Sequence, residues 1–364
     1  MLIYWLMFFI PAGLALRESV RRQLLVDPWR TETFRLTGLW WFIVFTLTAL
    51  VGWRHEVGGD WFNYLRIFDR AVYLSGGIGW WLDDPGYRLI EYISVQLGWG
   101  IYGVNILGAA LFSLGVVVFC RHLPRPWLAL AVSIPYLVMI VGMGYSRQGI
   151  ALGLLMIGLV TLGRGQVTKF LIWTVLAATF HKSAVVLIPL AALAASQRRI
   201  FVVFWASAVA IISYFVLLQD AVEGFTTNYL EAQYQSQGAL IRLLMNALPA
   251  AILLWKRRRF ETTLPQQKLY FWMAVIGVGL VGLYYLSPSS TAVDRMGLYV
   301  LPLQLMVFSY LPEVMGKRRG NNSLWVFLVL AYYAAVEFVW LNFATHASAW
   351  IPYQFYPWVW LWQS

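Results

Sequence analysis

"IYGVNILGAALFSLGVVVFCRHLPRPW", residues 101–127, sets twenty residues without one charged side chain ahead of a short turn carrying Arg121 and Arg125. An α-helix rises 1.5 Å per residue, so a run of about twenty spans the roughly 30 Å hydrocarbon core of a bilayer. The next apolar run begins at once. The same alternation of apolar run and basic turn continues through all 364 residues, which are 60% hydrophobic and only 12% charged, with a mean hydropathy of +0.66. This composition predicts an all-α polytopic membrane protein forming one integral membrane domain over 1–364.

About twelve spans are expected, near 1–16, 36–53, 101–120, 125–143, 147–163, 168–180, 183–196, 200–219, 240–255, 268–286, 295–311 and 323–343. Those at 168–180 and 183–196 are short for a bilayer, which predicts tilted, broken or re-entrant segments. The first segment has no basic stretch before it and ends in Arg17, Arg21 and Arg22, the reverse of a cleavable signal peptide, so it reads as a retained span. A single cysteine, Cys120, excludes a disulfide framework and a multi-cysteine metal cluster.

Charge orders the loops. Those at 17–35, 121–125, 164–169, 197–199, 256–268 and 312–322 hold nineteen of the 27 Lys and Arg and five of the sixteen acids. They are alternate loops, so the positive-inside rule puts all six in the cytoplasm, with "KRRR" at 256–259 the clearest, and both termini outside. The net charge of +11 is thus a topology signal rather than a nucleic-acid surface. Twenty Trp and twenty Tyr suit interfacial belts.

On the opposite, outer side lie the unusual polar clusters "RHEVGGDW" (54–61), "YSRQG" (145–149), "HKS" (181–183) and "DR" (294–295). Four helix ends in one plane predict a site. The outer segment 54–100 is the main insertion. Trp61, Leu65, Phe68 and Val72 recur at helical spacing, as in an interfacial amphipathic helix, and Asp83 and Asp84 before Pro85 predict an N-cap and a second short helix. The outer loop 220–239 is polar enough for a lid. The carboxyl-terminal 344–364, with "WIPYQFYPW", is too interrupted by proline for another span and is expected to fold back over the site. No repeat or low-complexity tract is present.

Arg147 is the sharpest candidate. A planar five-donor fork near a buried helix end suits phosphate oxygens, although long basic side chains also snorkel to headgroups. Tyr145, Ser146 and Gln148 beside it favour a site. Arg295 reads either as a second phosphate ligand or as the partner of Asp294, and Arg54 as a third cation. His181, followed by Lys182, is placed for proton transfer or for a structural hydrogen bond. Asp60, after two glycines, reads as a general base, a sugar ligand, a partner for Arg54 or a helix cap. His122, in a basic turn, is expected at the solvated surface, with His55 and His346 weaker candidates outside; Glu337, inside the last span, is expected protonated or paired. Trp61, Tyr64 and Tyr87 suit either sugar stacking or interface anchoring. No carboxylate or histidine cluster demands a metal, and no cofactor is expected.

"RHEVGGDWFNY" (54–64), "DPGY" (84–87), "YSRQGIA" (145–151), "FHKSA" (180–184), "DRMGLY" (294–299) with "LPL" behind it, and "WIPY" (350–353) together resemble the ordered motifs of the EpsG-like branch of the Wzy-type polysaccharide polymerases. The specific pair is "YSRQGIA" followed about thirty residues later by "FHKSA". The first motif departs from the family's commoner "GTDY" by reading "GGDW", so an aromatic contact differs there.

The resemblance implies a GT-C-like membrane glycosyltransferase of the bacterial inner membrane, joining undecaprenyl-diphosphate-linked repeat units on its periplasmic face. It implies a chain-length regulator as a partner, alongside membrane lipids and no nucleic acid. Arg147 and Arg295 would then stabilise the departing diphosphate while His181 or Asp60 takes the acceptor proton. Arg54, Tyr145, Gln148, Tyr64, Tyr87 and Lys182 would complete substrate binding. Two rivals remain: a ligase or single-unit transferase with the same donor, and a flippase or exporter of the same glycan. A transporter is expected to carry polar residues through both halves of its spans and related repeats; here they crowd one side.

Overall fold

The computed structural model describes residues 1–18, 36–74, 84–195, 236–316 and 322–363. The expected span 200–219, Asp83, most of the 220–239 loop and most of the basic loop 17–35 lie outside these residues. Among the described residues the chain is helical, with no strand and one isolated two-residue bridge between Arg54 and Phe355.

Among the described residues six helices are long and apolar enough to cross a membrane. In chain order the elements begin with α1 (Leu2–Arg17), α2 (Gly38–Gly52), α3 (Trp61–Leu74), α4 (Pro85–Gln96) and α5 (Gly100–Arg121). Next come α6 (Pro126–Ser133), which runs into a wide π-helical stretch (Ile134–Gly142), α7 (Ser146–Gly163), α8 (Val167–Ala178) and α9 (Ile188–Ala195). The series closes with α10 (Ala239–Lys256), α11 (Leu264–Leu286), α12 (Ser290–Gly297), α13 (Leu301–Met315), α14 (Ser323–Phe343) and α15 (Tyr356–Gln363). The six long spans are α5, α7, α10, α11, α14 and the continuous pair α12–α13. Shorter apolar helices occupy Leu2–Arg17, Gly38–Gly52, Pro126–Gly142 and Val167–Ala178.

The segment expected to be short is broken. α8 stops at Ala178, the chain turns through Thr179–His181, and a 3-10 turn (Lys182–Leu187) leads into α9. Twelve residues of α8 reach only about 18 Å, well under a hydrocarbon thickness.

α5 and α7 form the centre. In lipid the helices gain little from hiding apolar surface, so close backbone approach and dispersion hold them. Gly115 lies so tightly against the Gly153 backbone that any Cβ there would overlap its carbonyl. Around this core, Leu6, Phe9, Ile10, Ile241, Leu244, Tyr285, Leu286, Leu324 and Phe327 are exposed, giving the outer helices an apolar perimeter suited to acyl chains. The chain is a multi-pass membrane protein.

Polar contacts gather at two opposite ends of this bundle. One end joins Arg125 to Glu313 (2.7 Å), Arg125 to the Glu18 carbonyl (3.1 Å) and Thr263 to the Gly163 carbonyl (3.3 Å). His122 belongs here and corrects the surface reading: it is 5% exposed, with Nδ1 2.7 Å from the Val118 carbonyl and Nε2 2.9 Å from Arg164. Arginine offers only donors, so Nε2 accepts and Nδ1–H donates. Burial, together with Arg164, pulls its pKa down to about 3.

Inside the bundle, Glu337 on α14 is 0% exposed and among the described residues neither carboxylate oxygen has a hydrogen-bond or ion-pair partner. A buried chain of amides runs from Tyr333 to Gln304 (2.6 Å), Gln304 to Asn246 (2.7 Å) and Asn246 to the Gly297 carbonyl (2.8 Å). It fastens the α12–α13 junction to α10 and α14.

Candidate functional site

At the other end of the bundle the polar motifs meet. α3 buries Trp61, Tyr64 and Phe68 while Phe62, Asn63, Arg66 and Arg70 face outward, so it lies on the bundle as an amphipathic helix. Gly58, φ +110°, lets the preceding loop press against the Met143 carbonyl, where any side chain would collide. The carboxyl-terminal segment folds back onto that loop: Gly58 N–H donates to Ala349 (2.8 Å), His55 N–H to Gln354 (2.9 Å), and Tyr353 Oη to the Leu50 carbonyl (2.6 Å). His55 sits in this seam, its Nδ1 2.6 Å from Tyr102 Oη.

Arg147 lies in the first turn of α7, where unbonded backbone N–H groups give the helix end positive character. Its Nη1 donates to Asp84 Oδ2 at 2.9 Å, and its guanidinium lies over the rings of Tyr64 (5.9 Å) and Tyr87 (5.7 Å). A quarter of its side chain is exposed. Asp84 was expected to cap α4, but it makes no side-chain cap bond; its carboxylate is turned to Arg147 instead, at a left-handed φ of +47°. Asp84 therefore joins the site, a role its capping position ahead of Pro85 concealed. Gly86 N–H donates to the Thr179 carbonyl (2.8 Å), drawing "DPGY" against the turn that carries His181 and Lys182.

Arg295, on α12, stacks on Tyr145 with its guanidinium carbon 3.9 Å from the ring centroid. Gln148 holds it from below: Nε2 donates to the Arg295 carbonyl (3.0 Å) and Oε1 lies 3.5 Å from Nη1. Of the two readings of Arg295, the pairing with Asp294 does not form. Asp294 is gripped by Arg242 instead, Nε to Oδ1 at 2.8 Å and Nη2 to Oδ2 at 2.7 Å, with Ser236 Oγ on Oδ2 at 3.1 Å. Among the described residues Arg295 has no acidic partner. Arg242 stands in the first turn of α10, where a charge opening a largely apolar run is the signal that would have singled it out.

Asp60 completes the cluster. Its carbonyl accepts the Tyr64 N–H (2.9 Å), the geometry of a cap residue, yet its carboxylate makes no hydrogen bond or ion pair among the described residues. Burial raises its pKa above the ordinary carboxylate value, opposed by the charges of Arg295 and then Arg147. One partly buried acid thus shares its field with two arginines.

His181 and Lys182 are partly buried at the α8 break. His181 has an extended backbone and its N–H donates to the Ala177 carbonyl (3.1 Å). Ser183 Oγ lies 2.6 Å from Tyr299 Oη, and Gln148 Nε2 donates to the Arg295 carbonyl, so "HKS" and "YSRQG" are each tied to "DRMGLY".

Arg54 is the exception to the expected substrate ligands. It is 2% exposed and its guanidinium is engaged with the carbonyls of Val51 (2.6 Å) and Val57 (3.1 Å), Asn105 Oδ1 (3.3 Å) and Ser146 Oγ (2.8 Å). These bonds tie α2, α5 and α7 together beneath the site and keep it from reaching a substrate. Among the described residues it pairs with neither Asp60 nor any other acid.

No group of three or more His, Cys, Asp or Glu among the described residues is arranged to hold a metal ion. No curated protein and no solved structure matches the chain. A model of the EpsG family matches residues 38–355, which takes in every motif meeting at this end of the bundle, and the chain belongs to that family.

Proposed function

We propose that the protein is a polysaccharide polymerase that joins oligosaccharide repeat units carried on undecaprenyl diphosphate, with lipid diphosphate as leaving group. Membership of the EpsG family fits a polysaccharide polymerase or glycosyltransferase-like role. The observation that carries the finer reading is the meeting of Arg147 and Arg295 at one end of the bundle, where Gln148, next to Arg147 in the chain, holds Arg295, with Asp60 near enough for its pKa to respond to both charges. A displacement that expels a diphosphate needs cations where negative charge grows and a base where the acceptor hydroxyl attacks.

The acceptor hydroxyl would give its proton to Asp60 and attack the anomeric carbon of the donor sugar. The bond from that carbon to the phosphate oxygen breaks, and the electron pair leaves with the lipid diphosphate. Arg295, without an acidic partner, and Arg147, part-neutralised by Asp84, would receive that charge. His181 and Lys182 would line the same cleft from the α8 break. Tyr64, Tyr87 and Tyr145 hold the arginines by their ring faces, which explains their identity without requiring sugar stacking.

In this reading twelve spans form a GT-C-like bundle in the inner membrane, the site facing the periplasm and the "KRRR" turn the cytoplasm. The charge is managed by arginines, without metal. The test is to incubate the purified protein in lipid with undecaprenyl-diphosphate-linked repeat units and resolve products by mass. A ladder rising by one repeat unit supports polymerisation. A single addition would favour a transferase or ligase, and unchanged glycan carried across vesicles a flippase. Loss of activity on adding a chelator would overturn the metal-free account.

A further inference from the structure

We propose that a cavity beside Arg54 binds one small inorganic anion, a halide, as the counter-ion of that buried arginine. The cavity has a volume of about 10 Å³ and is lined by Val51, Arg54, Asn105, Phe112, Ser146 and Ile150 among others. That is room for one particle of about water size, and too little for a phosphate or a sugar. It stands under the candidate site, so it is independent of the polymerase reading.

Three observations identify its occupant. First, Arg54 is buried and all four groups it bonds are uncharged: two backbone carbonyls, an amide oxygen and a hydroxyl. A guanidinium removed from water without an opposite charge is strongly disfavoured. Burial lowers its pKa to about 10, the direction that uncompensated charge predicts.

Second, Asn105 is 4% exposed and presents Oδ1 to Arg54, which fixes its orientation because arginine has no acceptor. Its Nδ2 is thereby left as a buried donor without an acceptor. Third, Ser146 Oγ accepts from Arg54, so its hydroxyl proton is available to donate, and Ser146 stands at the positive end of α7.

The polar side chains around the cavity therefore present donors. A water molecule would answer the donors but leave the guanidinium charge uncancelled. An anion accepts from each donor and also cancels the charge. Chloride is the abundant candidate, and bromide is its probe.

The experiment is thermal unfolding of the full chain in lipid nanodiscs, in sodium chloride or bromide against sodium gluconate at equal ionic strength. The expected result is a melting temperature that climbs with the logarithm of halide concentration and is flat in gluconate. Asn105→Asp puts a carboxylate against Arg54 and should make the melting temperature independent of halide. A wild-type protein with the same melting temperature in both salts would overturn the proposal, as would halide dependence that persists in Asn105→Asp. Anomalous diffraction from bromide-grown crystals gives the answer without a variant: a bromide peak at Asn105 Nδ2 supports the site, and an ordered water there overturns it.

Discussion

Arg242 grips both oxygens of Asp294, at 2.8 and 2.7 Å, and so withholds from Arg295 the acid that stands next to it in the chain. The arginine at the site stays uncompensated because a different arginine, on a different helix, has taken its neighbour. Arg242 is a positioning residue in this arrangement.

Replacing it should release Asp294 toward Arg295. Arg242→Met is expected to raise KM for the lipid-linked donor more than it lowers kcat, with a stability loss of roughly 3 kcal/mol from the stranded buried acid. The double variant Arg242→Met with Asp294→Asn should recover most of the KM. Kinetics and melting of the two proteins check this; a double variant as poor as the single would place Arg242 on the substrate itself.

Arg147→Ala should abolish polymer formation while leaving the protein inserted, and Arg295→Ala should cost at least about a hundredfold in kcat, the scale for removing one preorganised donor to developing charge. The two should differ in stability. Arg147→Ala takes from Asp84, whose side chain is 5% exposed, its 2.9 Å ion pair, whereas Arg295→Ala breaks no ion pair among the described residues. Adding Asp84→Asn to Arg147→Ala should restore melting but not activity, which the mass ladder and a melting curve separate.

Asp60 sets the acid limb of the pH profile. Its pKa is raised, so activity should climb with pH through a limb above the ordinary carboxylate range, and removing Arg295 should push that limb higher. Asp60→Asn should slow turnover by about 10² to 10⁴. The stability sign follows from linkage: an acid that titrates higher when folded makes the fold lose stability as pH rises between its unfolded and folded values. Asp60→Asn should therefore melt above wild type at neutral pH and converge with it in acid. A variant less stable than wild type at pH 7 would make Asp60 a structural residue.

Glu337 has two buried oxygens and no donor for either. A charged carboxylate in that setting would be costly, so it should be carried as the acid. Glu337→Gln is expected to leave or improve the melting temperature, and Glu337→Lys to prevent folding. An apolar carbodiimide should label wild type at Glu337 and spare the Gln variant; no labelling would mean that the carboxylate is ionised in place.

Much of this was readable from residue order. Apolar runs near bilayer length predicted the helices at 100–121, 146–163 and 323–343 almost to the residue, and the parity of basic loops predicted which motifs would share one end. Helix formation and loop charge are local properties, so local sequence carries them. The motif residues Arg147, Gln148, Asp60 and Arg295 came together as their positions at helix ends implied.

Pairing was not local, and there the reading went astray. Asp84 does stand at the N-cap of the helix that Pro85 opens, as read, but its carboxylate makes no cap bond and reaches instead to an arginine 63 positions away. Asp294 looked like a partner for Arg295 because they are adjacent, and His122 looked solvated because its turn is basic. Arg54 looked like a ligand because it belongs to a polar motif, yet it is buried beneath the site. The sequence by itself determined a helical bundle in a membrane with its family motifs gathered at one end and its basic turns at the other. Only the tertiary structure decided which arginines have their charge cancelled, because ion pairs are made across space by whichever helices packing brings within about 3 Å.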